Sequence, residues 1–182
     1  MEALVTKPNP TKIATKWALI YTLTAIVFTY IFQFMNLEQK SPIQYLVYIP
    51  FIAFLMLTQK EFKDSLGGYI TFGTAFSAGF RYAIFVGLFL GVFMAIYLWI
   101  LSPEVLDKSL EASRAEMEKR EMSEAEIEKA MGIAKMIGPW AAAFVSAIIY
   151  AIAGAIVALI GASIFKKERT PFDIANEAVD PE

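Results

Sequence analysis

"YAIFVGLFLGVFMAIYLWIL", residues 82–101, is a run without a single charged side chain. As a helix rising about 1.5 Å per residue it matches the roughly 30 Å hydrocarbon core of a bilayer. The run ends abruptly at "SPEVLDKSLEASRAEMEKREMSEAEIEKAM", residues 102–131, with nine acidic and five basic side chains. A junction from grease to dense charge predicts a span leaving the membrane into water.

Three further apolar runs lie outward from it. Residues 139–165, "PWAAAFVSAIIYAIAGAIVALIGASIF", are long enough to tilt in a bilayer. Pro139 is read as the first residue of that helix, where a missing N–H costs nothing. Residues 17–35, "WALIYTLTAIVFTYIFQFM", follow Lys7, Lys12 and Lys16 and precede "NLEQK". They read as a signal anchor rather than a cleaved signal peptide. Residues 43–58, "IQYLVYIPFIAFLMLT", form a short run with Pro50 in its middle, which predicts a kink. The expected fold is an all-α membrane protein with four transmembrane helices. One membrane domain would cover 17–165, between an N-terminal tail at 1–16 and a C-terminal tail at 166–182.

Composition agrees with this reading. Hydrophobic residues make up 57% of the 182, above the roughly 45–50% of a soluble domain. The charges cluster in the tails, two short loops and the 102–131 stretch. An even number of spans puts both tails on one side. Lys7, Lys12, Lys16, Lys166, Lys167 and Arg169 flank the outer spans, and Lys60 and Lys63 occupy the loop at 59–69. The other side holds Lys40 and the net-acidic insert. The positive-inside rule then places both tails in the cytoplasm and the insert outside it. Trp17, Trp99 and Trp140 fall near span ends, as interfacial aromatics do.

The insert at 102–136 reads as two helices, 103–121 and 124–136, joined at Met122–Ser123. Ser102 is a cap residue, Pro103 suits a first turn, and Glu104 suits the positive end of a helix. Ser123 and Glu126 have capping-box spacing. Glu104/Lys108 and Glu116/Arg120 are i,i+4 pairs. Leu106, Leu110, Met117, Ile127 and Met131 form a thin apolar stripe, a candidate surface for docking a partner. Glu124 and Glu128 share a face, but no calcium-loop spacing accompanies them. The plain reading of the insert is a solvated charged helix pair.

Residues 66–80 read as an amphipathic helix at the membrane interface, after a turn at Gly67–Gly68. Tyr69, Phe72, Phe76 and Phe80 recur at helical spacing there. Arg81, flanked by apolar sequence on both sides, is a candidate lipid-headgroup contact together with Lys60 and Lys63. Gly87, Gly91 and Ala95 form a small-residue ridge on the 82–101 span. Ala143, Ala147, Ala151 and Ala155, with Gly154, Ala158 and Ala162 beside them, form another on 139–165. Such ridges let helix backbones approach closely, within one chain or between copies.

The chain has no cysteine and no histidine. That removes thiolate chemistry, soft-metal sites and the commonest general base. No cofactor is implied, and no dense Lys/Arg run points to nucleic acid. The spans hold no Asp, Glu, Lys, Arg or His, which argues against an ion-coupled transporter.

"GGYITFGTAFSAGF", the following span, "SPE" at its exit, "EKREMSEAEIEKAM" and a last span ending "LIGASIFKK" occur in that order. Together, over about 15–168, they resemble the domain of unknown function (DUF) 4199 family, small four-span membrane proteins found mostly in Bacteroidetes. The resemblance implies a bacterial inner membrane, and it supplies no activity and no catalytic residue. That family more often has Gly where Glu121 stands, which implies a less sharp joint here.

The functional expectation is an integral membrane protein without enzymatic chemistry, an accessory or interaction subunit of a membrane assembly. The lipid bilayer is its first partner, with a second copy or another membrane protein beyond that. One alternative is an oligomeric transporter or channel lined by Thr22, Thr29, Gln33 and Ser146. Another is a lipid enzyme or helper holding a phosphate headgroup with Arg81, Lys60 and Lys63.

Overall fold

A computed structural model describes residues 8–35 and 42–170. Lys7 and Lys40, which entered the charge comparison, and the tail beyond Thr170 lie outside the described residues. The described residues are helical, apart from turns and one isolated bridge.

Helix α1, Pro10–Phe34, opens on Asn9, whose side chain accepts the Thr11 N–H at 2.9 Å. Pro10 occupies the first turn, where no partner is needed for its nitrogen. A 3₁₀ segment, Pro42–Val47, leads into α2, Tyr48–Ser65. Pro50 is therefore the third residue of α2, in its first turn and not inside the helix. Its nitrogen falls where helix donors go unpaired, so the expected kink is not required. The Val47 carbonyl, three residues before Pro50, accepts the Tyr21 hydroxyl at 3.4 Å.

Helix α2 ends on two glycines in the left-handed region, Gly67 (φ 77°) and Gly68 (φ 85°). The Gly68 N–H bonds Lys63 O at 3.0 Å and the Gly67 N–H bonds Asp64 O at 3.1 Å. This is a full Schellman turn. Residues 66–71 thus form a loop, and Ile70 pairs with Lys167 in an isolated antiparallel bridge.

The interfacial helix expected at 66–80 and the span expected at 82–101 are one element. Helix α3 runs Phe72–Ile96 and widens into a π-helical turn, Tyr97–Leu101. Arg81 interrupts the hydropathy of this stretch but not its backbone. The insert's second helix and the last span are likewise continuous. After α4, Pro103–Lys119, helix α5 runs Glu124–Phe165 with Pro139 inside it. Pro139 is buried and forgoes one hydrogen bond, while the residues on either side keep helical geometry. Among the described residues three elements are long and apolar enough to cross a membrane: Pro10–Phe34, Phe72–Leu101 and Glu124–Phe165. Helix α2 is apolar only to Thr58 and then carries Lys60, Glu61, Lys63 and Asp64.

The chain divides into two compact units. The first combines Met1–Val86 with Ala151–Glu182. Within it α2 touches the other three helices. Tyr21 of α1, Phe51 of α2 and Tyr82 of α3 form an aromatic core, with Tyr21–Phe51 centroids 5.4 Å apart and Phe51–Tyr82 5.6 Å apart. The Tyr82 hydroxyl donates to Phe51 O at 3.2 Å. At the end of this unit Phe62, Ile70, Ala75, Ala78 and Ala162 pack together with Ile13. That cluster joins the start of α1, the end of α2, the start of α3 and the end of α5. Its outside is apolar, with Leu23 64%, Ile152 60% and Ile164 65% exposed. Such a jacket suits lipid and not water.

The second unit is Gly87–Tyr150. Its α4–α5 hairpin turns at Arg120–Ser123, slightly earlier than expected. The Met122 N–H bonds Met117 O at 3.3 Å and the Glu121 N–H bonds Glu118 O at 3.0 Å, a second Schellman turn. Here the left-handed residue is Glu121 (φ 57°) and not a glycine. The joint is as tight as the glycine one, contrary to the expectation of a blunter corner. Glu126 accepts the Ser123 N–H at 3.0 Å, as the capping-box spacing predicts. Ser102 stands before α4 but makes no capping bond with its side chain.

A non-glycine residue in this conformation costs about 1–2 kcal/mol. Glu121→Gly is therefore expected to stabilise the hairpin by about 1 kcal/mol. Slower amide exchange along α4 in the variant would show it; unchanged or faster exchange would mean that Glu121 is not strained.

Candidate functional site

Gln59 is a polar side chain of the first unit that is fully enclosed by the protein. Phe51, Leu55, Thr58 and Phe62 form the buried face of α2, and Gln59 lies on that face with no exposure. Its Nε2 donates to Ala75 O of α3 at 3.1 Å and to Ala158 O of α5 at 2.8 Å. Two carbonyls demand the NH₂ end, so the amide has only one orientation. The Oε1 atom has no hydrogen-bond donor among the described residues. It rests against Gly161, where a Cβ would fall on top of it and 2.8 Å from Met56 Sδ. At Gly79 a Cβ would come 2.8 Å from Nε2. These two glycines make the space in which one side chain joins three helices. Gln59 escaped the sequence reading because the short apolar run was closed at residue 58. Its only signals were its place on the face of Leu55 and Phe62 and the glycines opposite.

A basic rim surrounds the end of this unit. Lys16 Nζ meets Glu61 Oε1 at 2.6 Å, and Trp17 Nε1 donates to Glu61 Oε2 at 2.8 Å. Partial burial alone would raise the Glu61 pKa, but the Lys16 and Trp17 hydrogen bonds and the Lys16 charge bring it below the ordinary value. The clasp therefore stabilises above the unfolded carboxyl pKa and is lost as pH falls through the lowered folded one. Arg81 Nη1 donates to Thr11 Oγ1 at 3.2 Å, tying α3 to the start of α1. Lys60 is exposed and Lys63 half-buried on α2. No ion pair or hydrogen bond among the described residues joins these three into one pocket.

The small-residue ridges meet each other. A Cβ at Gly87 would lie 2.9 Å from Ala147 O, and one at Gly91 would lie 3.0 Å from Ala143 O. In the first unit Gly154 abuts Ala83 so closely that an added methyl would collide with its Cβ. Ala95, Ala158 and Ala162 are buried, and Ala151 and Ala155 half-buried. These contacts lie within one chain.

The hairpin stripe also turns inward. Ile127 is 2% exposed, and Leu106, Leu110, Met117 and Met131 are half-buried. Leu106 Cδ1 would contact a Cβ at Gly138 at 3.8 Å, and Lys135 reaches Asp107 at 3.8 Å. Arg114 pairs with Glu118 at 3.1 Å and, across the joint, with Glu124 at 3.4 Å. Arg120 pairs with Glu116 at 2.9 Å, whereas Glu104/Lys108 is not among the ion pairs of the described residues. Exposed pairs like these are screened by solvent and add little to stability. Among the described residues no group of three His, Cys, Asp or Glu could hold a metal.

Of the residues expected to line an oligomeric channel, two make hydrogen bonds within their own helix. The Thr22 hydroxyl donates to Ala18 O at 2.7 Å and Thr29 to Ala25 O at 2.9 Å, each within its own helix. Gln33 is exposed and Ser146 half-buried.

Gly161→Ala is expected to cost about 1–3 kcal/mol through overpacking. In the Gln59→Ala background the same change should cost far less, a coupling of at least about 0.5 kcal/mol in a double-mutant cycle of thermal or denaturant unfolding. Additive losses would show that the amide does not occupy the space beside Gly161.

Comparison with known proteins places these features in one family. The family model described as "Protein of unknown function (DUF4199)" matches residues 16–167. No curated protein and no solved structure matches the chain.

Proposed function

The chain belongs to the DUF4199 family, and we propose that it is a four-crossing membrane protein and a non-enzymatic subunit that offers its α4–α5 hairpin to a membrane assembly. The crossing number follows from direction. Thr11, near the start of α1, meets Arg81, early in α3. Two spans that run the same way need a segment returning between them, and 42–65 is that segment. Its apolar part is short, but the 3₁₀ geometry lengthens it. Six residues at about 2.0 Å and eleven at about 1.5 Å give roughly 28 Å, close to a hydrocarbon core.

Lys12, Lys16, Lys60, Lys63, Arg81, Lys166 and Lys167 all belong to the end of the bundle where α1 starts and α5 finishes. By the positive-inside rule this end is cytoplasmic, in the inner membrane of a bacterium. The hairpin then stands on the opposite face.

The observation that carries the functional reading is the closed hairpin. Its stripe folds inward, so its outer surface is charged, with Glu104, Glu111 and Glu128 all exposed. A partner would meet an acidic helical face instead of the Leu/Met stripe. The small residues that would have joined copies of the chain already pack α3 on α5. A channel finds less support, since Thr22 and Thr29 donate to their own helix. A headgroup enzyme built on Arg81 finds less support, since Thr11 engages that side chain.

The chain has no native cysteine, so topology is directly testable. Lys12→Cys and Ser65→Cys are expected to resist a membrane-impermeant thiol reagent in intact cells, while Ser113→Cys reacts. Lys12 and Ser65 reporting opposite faces would remove the return crossing. For function, photo-crosslinkers at Glu111 and Glu128 should capture the same protein, absent from a control at Lys60. If every co-purifying protein survives replacement of 103–131 by a short linker, the subunit reading fails.

A further inference from the structure

We propose that the base of the hairpin is seated in the headgroup–acyl boundary of the bilayer, with Ile133, Met136, Ile137, Trp140 and Trp99 as the surface that phospholipid covers. This surface begins nearly two turns above the span edge expected at Pro139. It is distinct from the stripe of Leu106 to Met131. It rests on the reading that the helices of the second unit cross a bilayer.

The observation is an inversion of polarity along one helix. Residues three, four and seven apart share a face of an α-helix. On the outward face of α5, Glu126 and Lys129 are exposed, and then the residue type changes within one turn. Ile133, Met136, Ile137, Trp140 and Phe144 follow on the same face, all exposed. Met136 is 70% exposed and Phe144 69%, so the face is no better covered at the hairpin's base than in the span below. The inward face changes in the opposite sense. Ile127 is buried and Met131 half-buried, and below them come the small residues Ala134, Gly138 and Ala142, all half-buried. Gly138 looks toward Leu106 of α4, whose Cδ1 would lie 3.8 Å from an added Cβ. Lys135, beside the stripe, leans to Asp107 of α4 at 3.8 Å.

Above Met131 the hairpin is built for water, with large apolar groups in and charges out. Below it the helix is built for lipid, with small groups in and large apolar ones out. The solvent changes where the pattern inverts. Trp140 and Trp99 mark the same level, with ring centroids 6.4 Å apart and both rings exposed. An indole keeps its apolar body among chains and its N–H among headgroups. Ile133 to Trp140 rises about 10 Å, matching the roughly 5–10 Å to which an apolar helix face sinks into that boundary. Lipid fits this face better than a second copy does. Helices that pack on each other in a membrane approach through small residues, and on this stretch of α5 those lie on the inward face. The stripe also runs without a break into Phe144 and Ile148, both exposed, so the chains that cover the span reach it directly.

The chain has no native cysteine, so a nitroxide can be placed at Met136→Cys, at Lys129→Cys above it and at Phe144→Cys below it. The full chain is reconstituted in vesicles of phosphatidylethanolamine and phosphatidylglycerol. Oxygen concentrates in lipid and a nickel chelate in water. The ratio of oxygen to nickel collisions at 136 is expected to be several times that at 129 and close to that at 144, with Ile133→Cys between 136 and 129. A ratio at 136 equal to that at 129 would overturn the seat. So would a nitroxide at 136 that is immobilised and shielded from both reagents, the signature of a second copy or another protein over the stripe. Nickel contact at 144 as well would remove the crossing together with the seat, whereas nickel contact at 136 alone removes only the seat.

Discussion

One carboxamide ties the first unit together. An amide withdrawn from water must find its partners inside the protein, and in lipid there is no alternative. Gln59 finds two, on helices that the chain reaches by separate routes. The geometry follows from this demand. Gly79 and Gly161 have to be bare, because the amide fills the volume that their side chains would take. Helix α2 has to lie against α3 and α5 at the level where both carbonyls face it. A segment whose apolar run ends at Thr58 is thereby held by its neighbours as well as by its own hydropathy. The unpaired Oε1 is the cost of the arrangement, and the close approach of Gly161 suits a weak Cα–H···O contact.

Features that depend on residue type at short range were visible in the sequence. The apolar runs, the Ser123–Glu126 cap, the turn at Gly67–Gly68 and the small-residue ridges of α3 and α5 all follow from local rules. Continuity was not visible. Arg81 and Pro139 look like boundaries in a one-dimensional reading, since one breaks hydropathy and the other removes a donor. Packing decides otherwise. Arg81 finds Thr11, and Pro139 is enclosed within the second unit. Gln59 was hidden for a similar reason, because nothing in its neighbourhood marks a residue whose partners lie far along the chain. Glu121 is the opposite case, since the corner was expected but its sharpness was credited to a glycine that is absent. Two Schellman turns of the same pattern, one on Gly67 and one on Glu121, show that the surrounding helices impose this geometry.

The candidate surfaces sort themselves by what already covers them. Small-residue ridges and a Leu/Met stripe each look like an invitation to a partner when read as sequence. In the folded chain both are largely covered by the chain itself. What stays open is chemically different in the two units: acidic faces on the hairpin of the second, and lysines at the helix ends of the first. The surfaces left open to water are therefore charged, while the apolar jacket suits lipid.

The Gln59 contacts also set an order in time. A ribosome releases the chain from its N-terminus, and Ala158 emerges ninety-nine residues after Gln59. Ala75, sixteen residues on, supplies the first acceptor early. For most of synthesis the amide holds one carbonyl and waits for the other. Helix α2 is finished only when the last helix arrives, so the bundle closes late and as a whole. A nascent chain stalled in the hairpin would carry a half-satisfied polar group where the apolar run of α2 ends, a mark by which quality control could tell an incomplete protein from a complete one.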